Sequence, residues 1–191
     1  MSLAVSHPAA ESAAGLPDHR IDDHDFALFD LPLRQAQDRA EIDRRWKAWQ
    51  TRVHPDRFTA QGAAAQRVAM QWSVRINEAY RRLKDPLERA RVLCELHGAA
   101  IEAERNTAMP PAFLMQQMAW REALDEADGE AALEALAAEV AQEQGRLFAQ
   151  LGAAIDERQA WAEAATLVRT LMFVRRFSAD VDDRLAALDD R

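Results

Sequence analysis

The sequence contains a single cysteine, Cys94, among its 191 residues, so it cannot form an intramolecular disulfide or a Cys-x-x-Cys site. Cys94 lies among apolar residues in a helical pattern, which favours a small buried side chain over a reactive thiol. Glycine and proline are scarce, at 6 and 7 residues, whereas alanine is abundant. This composition is typical of long helices rather than of strands joined by turns.

The chain also has no long apolar run and no excess of positive charge. No segment approaches the ~20 apolar residues of a membrane span, and residues 1–20 have no apolar region of the kind found in a signal peptide. The net charge of −8 argues against a general nucleic-acid binder. We therefore expect a reducing compartment such as the bacterial cytoplasm.

Residues 1–22 are rich in Ser, Ala, Pro, His and Asp without periodicity, and we predict a disordered tail. Potential metal ligands around its end are His19, Asp22, Asp23, His24 and Asp25. Nothing fixes the geometry of these side chains, so we interpret them as a solvated run and predict no metal and no cofactor. A short apolar entry segment follows, made of Phe26, Leu28, Phe29 and Leu31.

Two amphipathic helices come next. The first begins at a cap, Asp38, with Glu41 as capping-box partner, and runs to about residue 53. The second covers about residues 63–84, where Asp85-Pro86 ends it. The apolar positions are Ile42, Trp46, Trp49 and Val53 in the first helix and Val68, Trp72, Ile76, Ala79 or Tyr80, and Leu83 in the second. Two such helices joined by a short loop bury these positions against each other in an antiparallel hairpin.

The connection between these helices contains His54-Pro55-Asp56-Arg57. Pro55 has no N–H and disfavours helix in the residue before it, which predicts a rigid surface corner with the Asp56 carboxylate in water. Taken alone, this tripeptide describes an ordinary exposed turn. The preceding helix carries a basic face, which taken alone is ordinary solvated surface: Arg44, Arg45, Lys47 and Arg52.

The corner, the basic face and the run Ile76-Asn77-Glu78-Ala79-Tyr80 together resemble the J domain of DnaJ-type co-chaperones. The resemblance implies that this region contacts a DnaK-type chaperone and triggers its ATP hydrolysis. The residues so assigned are His54, Pro55, Asp56, Arg57, Arg44, Arg45, Lys47 and Arg52. The chain departs from the family at Val53 and Arg57, where Tyr and Lys are frequent; an arginine keeps the charge but changes its geometry.

A shorter helix is predicted from Pro86 to His97-Gly98, and His97 is interpreted as a partner of its C-terminal carbonyls. Residues 99–109 have no sustained pattern and are interpreted as a linker. Three long amphipathic helices follow, over about residues 110–128, 130–155 and from Trp161 onward. Their short connections predict an antiparallel three-helix bundle.

The first bundle helix is apolar on two sides. We assign one side to the core: Phe113, Gln117, Trp120 and Leu124. The other flank carries Leu114, Met115 and Met118, continued by Glu122 and Glu126. This flank either closes the core against a neighbouring helix or is exposed for a partner, and the pattern alone leaves both open. Phe173 lies two positions after Leu171 and is expected to point largely outward.

The run Ala112-Phe113-Leu114-Met115 with Met118, followed by Arg121-Glu122-Ala123-Leu124-Asp125-Glu126, resembles the bundle of HscB-type co-chaperones of iron–sulfur cluster assembly. The resemblance covers about residues 25–190. It implies a J domain over 23–98, a linker over 99–109 and a scaffold-binding bundle over 110–191. It also implies delivery of an IscU-type scaffold protein to an HscA-type chaperone. The implied scaffold-binding residues are Leu114, Met115, Met118, Glu122, Glu126 and Phe173.

Two departures from this family are visible. Ala119 stands where relatives carry an acidic residue, so the match is weaker at that position. Some eukaryotic relatives add a cysteine-rich zinc module, which a chain with one cysteine cannot form, and this favours a bacterial form.

The overall prediction is an all-α, two-domain co-chaperone that catalyses no reaction itself. One alternative is a J protein that serves unfolded clients in general, although the chain has no Gly/Phe-rich linker and no zinc-binding cysteines. The other is an enzyme or metalloprotein built around His54, His97 or the His19/His24 segment. The sequence offers no nucleophile–base pair, phosphate loop or ligand cluster at a usable spacing for such a site.

Overall fold

A computed structural model describes residues 19–101 and 109–189, and every regular element within them is helical, as predicted. The helices are α1 (Asp25–Leu28), α2 (Arg39–Val53), α3 (Ala63–Lys84), α4 (Pro86–Leu96), α5 (Pro111–Glu126), α6 (Glu130–Asp156) and α7 (Trp161–Asp189). A 3₁₀ turn, Pro55–Gln61, connects α2 to α3. The described residues divide into two compact units: 19–32 with 38–84, and 33–37 with 85–101 and 109–189.

In the first unit, α2 and α3 pack against each other through their apolar faces. Their buried residues are Ile42, Trp49 and Val53 on α2 and Ala69, Trp72, Ile76, Ala79 and Leu83 on α3. The prediction for Val68 is wrong, because this side chain is exposed and Ala69 takes the inward position. Trp46 is half-buried and stacks on Tyr80, with 4.6 Å between ring centroids.

A buried ion-pair cluster holds α1 against α3. The Asp25 side chain is only 4% exposed and accepts hydrogen bonds from Arg82 at 2.6 and 2.8 Å, while Arg75 lies 2.8 Å from the same carboxylate. Burial opposes ionisation of Asp25, but the hydrogen bonds from Arg82 and Arg75 outweigh it and lower the pKa of this carboxyl below its usual value. The cluster therefore fixes the entry segment as long as Asp25 is ionised.

The predicted disordered tail, residues 1–22, falls mostly outside the described residues, and its last four residues contact the first unit. The His19 ring contacts Trp49 at 5.5 Å between centroids. The Arg75 guanidinium donates to the main-chain carbonyls of Ile21 (3.2 Å) and Asp23 (2.7 Å). Residues 19–22 therefore belong to the packed first unit.

The second unit is built around α6 and α7, with α5 packed on α6. The buried apolar residues of α6 include Leu133, Leu136, Val140, Leu147, Leu151 and Ile155. On α5, Phe113 and Trp120 are buried, whereas Gln117 is only half-buried. Toward the end of α7, Leu185 and Leu188 are half-buried.

Helix α4 also packs on α7 within the second unit. The domain predicted over residues 23–98 instead includes this helix. The His97 ring, just after α4, stacks on Trp161 with 3.6 Å between centroids, and its Nδ1 lies 2.8 Å from the Leu93 carbonyl. Asp85, the N-cap of α4, pairs with Arg175 of α7 at 2.7 Å. Each end of α4 is thus tied to α7.

The short segment Leu33–Gln37 belongs to the second unit and is bound by the end of α6. The Asp156 carboxylate accepts the backbone N–H groups of Gln35 (2.6 Å) and Ala36 (2.8 Å). Gln35 also donates its side-chain amide to the Pro86 carbonyl at 2.8 Å. Residues that precede α2 in sequence are therefore fixed by residues that end α6.

Among residues 19–101 and 109–189, no helix combines the length and the apolar character that crossing a bilayer requires. Cys94 is buried, and burial raises the pKa of its thiol to about 11. It therefore packs as a small apolar side chain, as predicted.

Candidate functional site

The His54-Pro55-Asp56 segment forms an exposed corner at the end of α2. His54 has extended backbone angles (φ −62°, ψ 123°), as expected for a residue before proline, and Pro55 begins the 3₁₀ turn. The Asp56 side chain is 85% exposed. Its carboxylate is therefore fully available as a hydrogen-bond acceptor and ion-pair partner.

Buried neighbours and two hydrogen bonds hold this corner in place. Val53 before it and Phe58 after it are both buried in the first unit. The Ser73 hydroxyl of α3 donates to the Val53 carbonyl at 3.1 Å, and the Arg57 guanidinium donates to the Thr51 carbonyl at 2.7 Å. Two of the orphan carbonyls that end α2 are thus satisfied, and Asp56 projects from a fixed backbone.

His54 acts locally on Asp56. Its Nδ1 accepts the Asp56 backbone N–H at 3.3 Å, so the imidazole caps the turn that follows. The same nitrogen lies 3.6 Å from the Asp56 carboxylate. Because this nitrogen accepts the N–H, it has no proton for the carboxylate, and the Asp56 oxygens stay available to a partner.

Within the described residues, the predicted basic face of α2 consists of two cations in ion pairs and two without one. Glu41 accepts hydrogen bonds from both Arg44 (2.6 and 2.8 Å) and Arg45, and these bonds lower the pKa of its carboxyl. Glu41 therefore does not complete the predicted capping box, although Asp38 caps Ala40 as expected. Arg45 is half-buried and also donates to the Phe29 carbonyl.

Lys47 and Arg52 are exposed, and neither forms an ion pair with another residue of the described chain. An open cleft of about 320 Å³ lies beside Arg52. Its lining residues are Phe29, Asp30, Arg44, Arg45, Ala48, Trp49 and Arg52. This side of α2 therefore presents positive charge with only one acidic side chain in the cleft wall.

In the second unit, the outer flank of α5 is exposed. Leu114, Met115 and Met118 are 46%, 67% and 65% exposed, while Phe113 and Trp120 on the other side are buried. Of the two interpretations that the pattern left open, the exposed one describes this flank. Flexible methionines beside a leucine form a surface that adapts to a partner.

Phe173 of α7 borders this flank and is half-buried. Its ring meets Phe113 edge-on at 5.7 Å and lies parallel to Phe177 at 6.3 Å. One side of the ring thus belongs to an aromatic cluster that also includes Trp120. The expectation that Phe173 points largely outward is correct only for part of the ring.

Glu122 and Glu126 continue the flank toward the end of α5. Both are exposed, and neither pairs with a basic side chain of residues 19–101 or 109–189. Sequence reasoning missed Arg121, whose guanidinium carbon lies 5.8 Å from the centre of the Phe173 ring. Its position seven residues after Leu114 was the available signal, because that spacing places both on one side of a helix.

Among the described residues, no three His, Cys, Asp or Glu side chains are grouped so that they could hold a metal ion. His24, one of the potential ligands, instead accepts the backbone N–H of Ala27 at 3.1 Å and caps α1. Asp25 is committed to its two arginines.

Comparison with known proteins finds relatives that match both units of the chain. A family model described as the HSCB C-terminal oligomerisation domain matches residues 109–182. The co-chaperone protein HscB homolog of Bordetella pertussis is 51% identical over 161 residues, which cover 84% of this chain and 94% of that protein. The homolog of Burkholderia mallei is 48% identical over 172 residues, which cover 88% of this chain and 98% of that protein.

Solved structures show the same architecture. The chaperone HscB from Vibrio cholerae superimposes with a TM-score of 0.76 at 34% identity, over 87% of this chain and 99% of that one. The human co-chaperone protein HscB gives a TM-score of 0.80 over 96% of this chain and 94% of that one. At 24% identity, this match supports the fold alone. The sequence identity to the bacterial proteins extends over both units. On this basis, the chain belongs to the HscB family of co-chaperones.

Proposed function

We propose that this protein stimulates the ATPase of an HscA/DnaK-type chaperone and delivers an IscU-type scaffold protein to it, in support of iron–sulfur cluster assembly and transfer. The compartment is the bacterial cytoplasm. The protein binds and positions its two partners and catalyses no reaction of its own. The single observation that carries the proposal is the exposed Asp56 carboxylate on a backbone fixed by Arg57 and Ser73.

A carboxylate in this position has a defined use at an interface. It is solvated in the free protein, so it contributes to the free energy of binding only when a partner supplies hydrogen-bond donors. A hydrogen-bonded pair between Asp56 and a basic side chain of the chaperone, desolvated on docking, is strong and specific. Because the backbone of the corner is already fixed, little conformational entropy is lost when the pair forms.

The basic side of α2 supports docking in a second way. Lys47 and Arg52 are exposed and unpaired within the described residues, so they attract an acidic chaperone surface over about one Debye length, ~8–10 Å. Such charges act mainly on the association rate. Arg44 and Arg45 contribute less free charge, because both are bound to Glu41.

The second unit supplies the scaffold-binding surface. Leu114, Met115 and Met118 provide apolar contact area that is already in water, and Phe173 provides an aromatic anchor held from behind by Phe113. Apolar and aromatic anchors of this kind dominate the free energy of many interfaces. The exposed carboxylates of Glu122 and Glu126 add sites for basic groups of the scaffold.

Carrying both surfaces on one chain couples the two events. When the scaffold is bound to one unit and the chaperone docks on the other, the encounter of scaffold and chaperone becomes intramolecular, at an effective concentration in the millimolar range for short connections. Scaffold capture therefore raises the rate at which the chaperone meets its substrate.

A pull-down with the full chain as bait tests the proposal. The expected result is recovery of both an IscU-type scaffold and an HscA-type chaperone. The Asp56→Asn variant should lose the chaperone and keep the scaffold, because asparagine preserves the shape of the corner and removes only the charge. Recovery of neither protein by the parent chain would overturn the proposal. Equal binding of unfolded model proteins and of the scaffold would favour the general J-protein alternative.

A further inference from the structure

Arg121 lies within the exposed flank of α5. It comes three residues after Met118 and seven after Leu114, so helical geometry places it on the same side. Its guanidinium carbon is 5.8 Å from the centre of the Phe173 ring, within the range of a cation–π contact. A positive charge therefore sits among the apolar residues of this surface.

This arginine has acidic neighbours but pairs with none of them. Asp125 stands one turn further along α5, at the spacing of an intrahelical ion pair, and Glu122 is adjacent in sequence. No carboxylate of the described residues lies within ion-pair distance of Arg121, which is itself exposed. Within the described residues the guanidinium contacts the Phe173 ring, and no carboxylate accepts from its five N–H donors.

Binding of a partner over this surface changes the solvation of the Arg121 guanidinium. A partner that buries Leu114, Met118 and the exposed part of Phe173 also removes water from the guanidinium that lies against the Phe173 ring. A buried cation without acceptors is strongly unfavourable, whereas a guanidinium bound to a carboxylate in a fork geometry is among the strongest polar contacts. The partner surface must therefore offer an acceptor at this point.

We infer that Arg121 is a specificity-determining residue of the scaffold-binding surface, and that the scaffold presents a carboxylate next to the apolar residues that cover Leu114, Met118 and Phe173. The inference rests on the proposed function of the bundle and adds the chemistry of the partner. The cation–π contact with Phe173 holds the guanidinium in place before binding, and the scaffold carboxylate completes its hydrogen bonds.

The experiment is a titration of purified IscU-type scaffold protein into the full chain and its variants, at low and at high salt. Arg121→Met keeps the length of the side chain and its contact with the aromatic ring but removes the charge and the donors. Arg121→Glu reverses the charge. Arg184→Met is the matched control, because Arg184 is an exposed arginine of α7, three helical turns beyond Phe173.

We expect Arg121→Met to weaken scaffold binding about 10- to 100-fold, the effect of losing one charged hydrogen-bonded contact. Arg121→Glu should weaken it further, and the loss should shrink at high salt. Arg184→Met should bind like the parent. One Asp or Glu of the scaffold, replaced by Lys, should restore binding to Arg121→Glu and not to the parent chain.

Two results would overturn the inference. The first is scaffold affinity of Arg121→Met equal to that of Arg184→Met. The second is a marked fall in the thermal unfolding temperature of Arg121→Met, which would give the residue a structural role. If a Leu114→Ala/Met118→Ala variant still loses the scaffold in either case, the bundle keeps its proposed function. If that variant binds the scaffold normally, the proposed function of the bundle fails as well.

Discussion

Replacing Leu114, Met115 and Met118 together with Ala separates binding from stability. These three side chains are 46%, 67% and 65% exposed, so truncation removes area that is mostly in water already. The buried fractions of the three side chains add up to little more than one complete side chain. Full burial of one such side chain contributes about 1.5–3 kcal/mol, so we expect a total stability loss of about 2 kcal/mol.

The same three changes in a core would have a much larger effect. Each large-to-Ala change in a core costs about 2–5 kcal/mol, so three would exceed the stability of many small domains. The high helix propensity of alanine also offsets part of the loss on α5. Scaffold binding should nevertheless be lost almost completely, because the three residues form the centre of the exposed apolar flank.

Two measurements on the same preparation decide this prediction. A denaturant unfolding curve gives the stability, and a calorimetric titration with the scaffold gives the affinity. The matched control is Met70→Ala/Val74→Ala, which removes side chains that are 60% and 54% exposed on α3 of the first unit. A triple variant that unfolds far more easily than the control, or that binds the scaffold as the control does, would refute the assignment of this flank.

Three further predictions concern the first unit. Asp56→Asn should reduce chaperone stimulation about 30- to 5,000-fold, the range for losing one member of a desolvated charge pair, while the circular dichroism spectrum stays unchanged. Lys47→Glu/Arg52→Glu should slow association with the chaperone, most strongly at low salt, without affecting scaffold affinity; an equal loss of both would contradict the role of these charges. Asp25→Asn should destabilise the protein by about 3 kcal/mol at neutral pH, because it removes a buried anion that contacts both Arg75 and Arg82. Since the folded-state pKa of Asp25 is lowered, its contribution is complete above the unfolded value of about 3.9 and is lost as the pH falls through the folded value. Unfolding curves of parent and Asp25→Asn should therefore converge below about pH 4, and a gap that stays constant in acid would contradict this.

Much of the helical architecture could be predicted from the sequence, because long amphipathic helices leave a strong periodic signal. The prediction failed at Val68, where the larger apolar residue was chosen over its neighbour Ala69. The buried positions 69, 72, 76, 79 and 83 of α3 follow each other at spacings of three and four. Val68 lies four residues before Trp72 and about 60° from the mean direction of these positions, so spacing alone could not decide between it and Ala69.

Contacts between distant parts of the chain could not be predicted. Residues 19–22 have the composition of a disordered tail, and only the guanidinium of Arg75 and the ring of Trp49 explain their packing. The exposure of the α5 flank likewise depends on where the neighbouring helices lie, which periodicity does not contain. The His54-Pro55-Asp56 corner was predictable, because the effect of proline on its own backbone and on the preceding residue is local.

The most direct test of the coupling is the steady-state ATPase rate of an HscA-type chaperone, measured with subsaturating amounts of this protein and with or without the scaffold. The parent chain should stimulate the chaperone alone and stimulate it further when the scaffold is present. The Leu114→Ala/Met115→Ala/Met118→Ala variant should keep the first effect and lose the second, and Asp56→Asn should lose both. Stimulation that survives in Asp56→Asn, or a scaffold effect that survives in the triple variant, would contradict the account.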